Sequence, residues 1–352
     1  MKHRIIPFLA AVAATLLLAS CQEKVIAPYE GPVVMTVSLS CPTHTADIKT
    51  KVAGEQSTND VTIKNMQVFV FDQATGQIDL CSRKVFSPAR TQTATSDAMT
   101  CTNGTKEIWA LVNWPVDLTT ADANVLSIAD LKSRTAALSD NAADALIMSG
   151  YVANQAFDAP VKAVTVPVSR LCAAVVLKSV VNQMMVPAYQ NKVSITGAFL
   201  MNVPAVQNVE GSIAASSAAS PTTSWMAFYS RPTSALLNES FAAAPIAYGA
   251  SHSTLHTFYT FANNYDSALG NSGKTEKSST YLKVEMQING QTKYYPVLLP
   301  ALERNKKYEV TLTINHISNI TDPTSPDLVS SAVLTPTVDV IGWSTIQVAE
   351  TI

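Results

Sequence analysis

From Val33 the chain alternates in a way that only an extended strand satisfies. Val33, Met35, Val37, Leu39 and Cys41 fall on one side, with Thr36, Ser38 and Ser40 on the other. Successive side chains of a strand point to opposite faces, so a period of two gives one apolar face and one wet face. A helix would scatter the same residues around its circumference. An apolar face of this kind must be covered by another layer, so the chain is committed to stacked sheets. The stretch stops at Pro42, and the residues up to Asp60 are polar and loop-like, with Lys49 and Lys51 among them.

Further strands are expected along the rest of the chain. Met66 to Phe71 contains Val68-Phe69-Val70-Phe71, apolar on both faces, and closes at Asp72 before a turn at Thr75-Gly76. Lys106 to Trp114 is stopped by Pro115, which cannot donate to a ladder. Val161 to Val168 and Leu171 to Val181 are β-rich, with Arg170 between them. Strands are predicted at 193–203, 255–262, 281–288, 293–299, 307–315 and 331–341. The Ser/Ala-rich stretch 211–224 has no period and reads as a loop. One helix is predicted over 128–138, because Ser127 and Asp130 form a capping pattern and Ile128, Leu131, Thr135 and Leu138 recur at helical spacing. The expected fold is therefore all-β, with two antiparallel β-sandwich domains meeting near residue 165 and one short helix. No exact internal repeat is visible.

The front of the chain addresses it for export. Lys2, His3 and Arg4 precede an apolar stretch from Ile5 to Leu18. That stretch is shorter than the roughly 18 to 20 residues a spanning helix needs and has the length of a signal-peptide core. Leu18-Ala19-Ser20-Cys21 reads as a lipobox, which makes residues 1–20 a signal peptide and Cys21 the lipidation site. Acyl chains on Cys21 would hold the chain at a membrane surface. Charged residues make up only 14% of the chain against 47% in the hydrophobic class, a balance that suits an exported β-protein. The 26 acidic and 24 basic residues give a net charge of −2, which argues against a nucleic-acid partner.

Candidate chemistry is sparse. The cysteines other than Cys21 are Cys41, Cys81, Cys101 and Cys172, and their spacing fits no zinc pattern. Cys81 and Cys101 could bridge in an oxidising compartment, whereas Cys172 sits in an apolar run and reads as a buried small hydrophobe. Ala268 to Thr275 loosely resembles a phosphate-binding loop, but Tyr281 to Met286 after it is strand-like where a helix is required, so a hairpin loop is favoured. His252 and His256 are four apart, in a stretch that reads as loop and strand, with no neighbouring carboxylate or cysteine. Asp72, Asp79 and Asp97 are read at turns, and Trp109, Trp114, Trp225 and Trp343 as core rather than as a sugar platform. Neither an enzyme nor a cofactor is expected.

Several segments together resemble the Bacteroidales fimbrillins, the major fimbrial subunit or type V pilin family. They are the lipobox at Cys21, the lysine-containing loop after the first strand, Val68-Phe69-Val70-Phe71-Asp72, Ile108 to Asn113 and Leu146 to Gly150. Val168-Ser169-Arg170-Leu171 running into Val175-Val176-Leu177, Phe258 to Asn263, Arg304 to Tyr308 and a last strand with Trp343 continue the order. The resemblance implies two transthyretin-like sandwiches, outer-membrane export as a lipoprotein and a surface fimbria built with other fimbrial subunits. It further implies removal of the first strand by a trypsin-like protease, and polymerisation by strand insertion. Residues 21–51 would then be a propeptide, 52–165 an N-terminal domain and 166–352 a C-terminal domain. Many relatives have an arginine in the processing loop, whereas this loop offers only Lys49 and Lys51. Val33, Met35, Val37 and Leu39 would form the displaced strand, and Ile346, Val348 and Ile352 share a period-two face for a donor strand, interrupted by Glu350. A tip adhesin or anchor subunit of the same fold and a surface glycan-binding lipoprotein stand as alternatives.

Overall fold

The computed structural model describes residues 29–41, 61–212, 225–226, 230–263, 279–325, 327–330 and 333–342. The first half of the chain supplies β1 (Val33–Ser40), β2 (Thr62–Asp72), β3 (Ile78–Thr91), β4 (Thr93–Thr95), β5 (Met99–Cys101), β6 (Gly104–Val112), β7 (Thr135–Ala137), β8 (Met148–Phe157), β9 (Val161–Pro167) and β10 (Ser169–Arg170). The second supplies β11 (Cys172–Asn182), β12 (Val193–Met201), β13 (Val203–Pro204), β14 (Val206–Asn208), β15 (Trp225–Met226), β16 (Asn238–Pro245), β17 (Ser251–His252) and β18 (His256–Phe261). It ends with β19 (Tyr281–Ile288), β20 (Gln291–Leu298), β21 (Lys306–Ile314) and β22 (Leu334–Gly342). The fold is all-β, as the alternating patterns require.

Both halves are sandwiches. In the first, β1 lies in the middle of a small sheet, antiparallel to β4 and β5 on one side and parallel to β9 on the other. The facing sheet runs β10-β8-β6-β2-β3. In the second, β11 is antiparallel to β17 and β18 on one side and parallel to β21 on the other, and β22 adds to the far edge of β21. Its facing sheet runs β16-β12-β19-β20. The topology is therefore repeated strand for strand: β1, β2, β3, β4 with β5, β6, β8 and β9 correspond to β11, β12, β16, β17 with β18, β19, β20 and β21.

The doubly apolar run in β2 has a clear origin. Val68 and Val70 point into the first sandwich with Ile108, Ala110 and Val112 of β6. Phe69 and Phe71 point the other way, into a second core with Trp109, Leu111, Trp114, Leu138 and Leu146. That second core continues without a break into Leu171, Val175 and Leu177, so the two halves share apolar packing. Arg304, in the turn before β21, ties them with polar contacts. Its guanidinium donates to the carbonyls of Ser169 (2.8 Å), Ser149 (3.1 Å) and Glu210 (2.6 Å). Gly211 leaves room for this side chain, since a Cβ there would meet the Arg304 Cδ at 2.7 Å.

Some expectations need correction. The helix is shorter than predicted: α1 spans Ile128–Ser133, with Ser127 as its N-cap accepting from the Asp130 amide as read. Thr135 to Ala137 instead pair with Asn208 to Val206, a non-local ladder that overrides the helical spacing. Asp79 lies inside β3, not at a turn, and holds the buried Lys106 ammonium at 3.0 Å. Cys81 and Cys101 are both free. They lie on opposite faces of the β2–β3 sheet, Cys81 against the shared core and Cys101 inside the first sandwich, and so cannot bridge. Of the loop read at 211–224, residues 213–224 lie outside the described residues, as does the whole of Ala268 to Thr275.

Candidate assembly site

β1 is bonded along both edges. On the β9 side the register runs from Val34 opposite Val161 to Ser40 opposite Pro167. The Val34 amide donates to the Pro160 carbonyl and the Val168 amide to the Ser40 carbonyl, both at 2.9 Å, which closes the two ends of that ladder. The other edge is split, because β5 covers the start of β1 and β4 its end. Ser96 bridges the gap: its amide donates to the Val37 carbonyl (2.9 Å) and its hydroxyl accepts from the Val37 amide (3.0 Å). Neither backbone group of Val37 is therefore left unsatisfied in the gap between β4 and β5, which matters because such groups are costly to bury alone.

The side chains divide as the alternation predicts. Val33, Met35 and Val37 are fully buried and Leu39 is 2% exposed, packed with Ile63, Val68, Met148 and Val166. Burying four such side chains contributes about 6–12 kcal/mol as an upper estimate. Ser38 turns outward and shares a hydrogen bond with Thr95 at 3.1 Å. Cys41, just past the strand, lies 3.9 Å from the Met148 sulfur. Burial pushes its thiol up to about 11, outweighing the nearby Arg170 charge, so it stays protonated and inert.

The structure thus brings Val33, Met35, Val37 and Leu39 together as one buried face. Cys21, Lys49 and Lys51 on either side of β1 lie outside the described residues, and so do Ile346, Val348 and Ile352 beyond β22. One wall of the β1 slot, β9 with Val164 and Val166, falls in the stretch read as β-rich from the sequence. The other was missed, because Ala94, Ser96 and Met99 sit in strands of three residues and the link between them, with no period to read.

Elsewhere, Trp109 and Trp114 are core residues as expected. Trp343 lies outside the described residues. His252 and His256 do meet, with their Nε2 atoms 3.1 Å apart, and a carboxylate accompanies them after all: Glu239 lies 3.0 Å from His256 Nδ1. Among the described residues no group of three or more His, Cys, Asp or Glu could hold a metal ion, and no helix is long and apolar enough to cross a membrane.

With this geometry in view, the comparisons with known proteins are informative. Residues 34–196, from β1 into β12, match the family model described as Major fimbrial subunit protein (FimA). Over this stretch the chain is similar to the fimbrillin family. The family is one of structural fimbrial subunits, not a class of enzyme. A search of curated proteins returns no match. Among solved structures, the fold is shared with a candidate cell adhesion protein from Parabacteroides distasonis at 17% identity and a TM-score of 0.65, covering 91% of this chain and 99% of that one. A candidate cell adhesion protein from Bacteroides eggerthii is similar at 23% identity and a TM-score of 0.61, covering 90% and 97%. A fimbrilin from Porphyromonas gingivalis aligns at 17% identity and a TM-score of 0.62, covering 89% and 98%. At these identities the structures speak for the fold alone.

Proposed function

We propose that this protein is a polymerising structural subunit of a surface fimbria, assembled by exchange of β1 for a neighbour's strand. The observation that carries this reading is the position of β1. It is the middle strand of its sheet, yet it is joined to the rest of the fold only through residues 42–60. A cut in that segment, at Lys49 or Lys51, would leave it held by non-covalent contacts alone. Its departure would open a groove with unpaired backbone on β9 and on β4 and β5, and an apolar floor beneath. A sheet opened in this way recruits an extended segment, with main-chain bonds giving affinity and alternate side chains giving register.

The segment offered by a second subunit is the one after β22, where Ile346, Val348 and Ile352 match the period of Val33, Met35, Val37 and Leu39. Donation from the end of one subunit to the start of the next does not close on itself and so grows a filament. Export through the signal peptide and lipidation at Cys21 would deliver the subunit to the outer membrane before a trypsin-like protease acts. Backbone entropy of about 1–2 kcal/mol per ordered residue opposes insertion, so apolar burial and the new ladder must act together.

The test is assembly after protease treatment. Lys49→Ala with Lys51→Ala should remain monomeric with β1 in place, and a chain ending at Trp343 should accept a partner strand but fail to donate one. Cys21→Ala should accumulate as an unlipidated precursor. Normal filaments from either of the first two variants would rule out strand exchange, whereas palmitate incorporation by Cys21→Ala would rule out only the lipid anchor.

A further inference from the structure

The two sandwiches close their split edges with different chemistry. In the first, Lys84 of β3 reaches across the gap between β4 and β5, donating to Asp97 Oδ1 at 2.7 Å and the Thr95 carbonyl at 3.2 Å, with its ammonium 5.6 Å from the Phe86 ring centre. In the second, the corresponding edge strand β16 carries the same charged-x-Phe arrangement as Glu239 and Phe241. Opposite them, His252 and His256 flank the gap between β17 and β18. Glu239 Oε2 lies 3.0 Å from His256 Nδ1, and His256 Nε2 lies 3.1 Å from His252 Nε2. Phe241 lies parallel to both imidazoles, 4.4 Å from the His256 ring centre and 6.0 Å from that of His252.

We propose that Glu239, His256 and His252 form a proton-sharing clasp that closes this edge near neutral pH and releases it in mild acid. The imidazole planes are 7° apart with centres separated by 5.4 Å, so the two Nε2 atoms face each other head-on between the rings. That geometry needs one proton between them. The His256 Nδ1–H donates to the Glu239 carboxylate, which leaves His256 Nε2 as an acceptor for the His252 Nε2–H. A further proton on His252 Nδ1 breaks neither bond. A proton on His256 Nε2 sets two N–H groups against each other, so the pair holds one extra proton and resists the second. Burial, and then the neighbouring His256 charge, hold His252 below the ordinary histidine range.

Other charges around the clasp are already engaged. On β11, Lys178 binds Glu309 at 2.7 Å and burial keeps the Cys172 thiol protonated, while Arg231, before β16, binds Glu285. β12 carries no ionisable side chain, β16 only Glu239, and β18 only Tyr259 besides His256. Because the opened edge binds more protons than the closed one, stability of the edge falls as pH falls through the histidine range.

Imidazole-nitrogen NMR on the full chain, with amide exchange from about pH 8 to about pH 5, tests this directly. At neutral pH, His256 should carry its proton on Nδ1 and His252 on Nε2, and the two should titrate as a coupled pair. Protection of the β16 and β18 amides, corrected for intrinsic exchange, should fall by up to about tenfold per pH unit, the limit for one coupled proton. Glu239→Gln should move the opening to higher pH, and His252→Phe, which keeps an aromatic beside Phe241, should abolish the acid response. Independent titration of two Nε2–H histidines, unchanged protection at about pH 5, or an unmoved midpoint in Glu239→Gln would each overturn the clasp.

Discussion

Set side by side, β1 and β11 occupy the same place in the two sandwiches and have opposite prospects. Each is flanked by a split antiparallel edge and a parallel neighbour. β11 follows β10 after a single residue and reaches β12 through described chain, and its residues from Cys172 to Leu177 are buried on both faces. β1 is buried on one face only and sits at the start of the described chain, separated from β2 by residues 42–60. The neighbours differ too, because β21 is covered by β22 whereas β9 pairs only with β1 among the described residues. An exchangeable strand needs a removable covalent link and a single buried face. β1 alone meets the second condition, and the proposed cut at Lys49 or Lys51 would meet the first.

Charge placed in each strand gives the largest contrast. Val37→Asp and Val175→Asp both bury an unpaired carboxylate, at a cost of about 3 kcal/mol or more. Val175→Asp should unfold the second sandwich beyond rescue, since nothing can replace β11. Val37→Asp should leave a first sandwich whose thermal stability returns on adding a peptide with the sequence of residues 33–41. Rescue of both variants, or of neither, would dissolve the distinction between the two strands.

A milder substitution sharpens the same point. Leu39→Ala should cost about 2–5 kcal/mol in the form that still holds β1. In protease-treated, assembled protein the same change should be silent, because Leu39 would no longer be in the fold. Denaturant midpoints of the two forms decide it, and an equal loss in both would place β1 permanently in the sandwich.

Arg304 probes what the halves share. Removing charge-assisted hydrogen bonds of about 1.5–3 kcal/mol each, Arg304→Met should lower stability by a few kcal/mol, less than the sum because the freed carbonyls can take up water. Burial holds the guanidinium down to about 10, so it remains cationic at neutral pH and Arg304→Lys should recover little of the fan of carbonyl contacts. If the shared apolar core couples the halves, unfolding stays a single transition in Arg304→Met. Two separated transitions would assign the coupling to Arg304 instead.

Much of this architecture was legible, and the reasons for what was not are specific. β1 could be read from its period because Val33, Met35, Val37 and Leu39 face one core and the intervening residues face water. The duplication could not, because β11 is buried on both faces and its Cys172 to Leu177 run has no period to compare with β1. β3 and β16 escaped notice as edge strands whose residues are mostly exposed or half-exposed, so burial imposes no clean alternation on Ile78–Thr91 or Asn238–Pro245. The Glu239 partner of His256 escaped for the same reason. It comes from a different sheet, and only the fold of the sandwich brings the two edges together.

The smallest expected effect separates the two edges most finely. Lys84 and Asp97 are partly exposed, with the Asp97 side chain 74% accessible, so Asp97→Ala should cost no more than about 1 kcal/mol and less at high salt. Lys84 keeps its second bond to the Thr95 carbonyl, which limits the loss further. Neither partner is a histidine, so this edge has no group that ordinarily changes charge between about pH 5 and pH 8. Amide exchange at β3 and β4 should therefore follow ionic strength and ignore pH over that range, while exchange at β16 and β18 follows pH and depends little on salt. The two edges occupy corresponding places in one topology, so their difference in response isolates the side chains from the fold. Parallel pH dependence at both edges would mean that acid acts on the sandwich as a whole, through some group common to both halves.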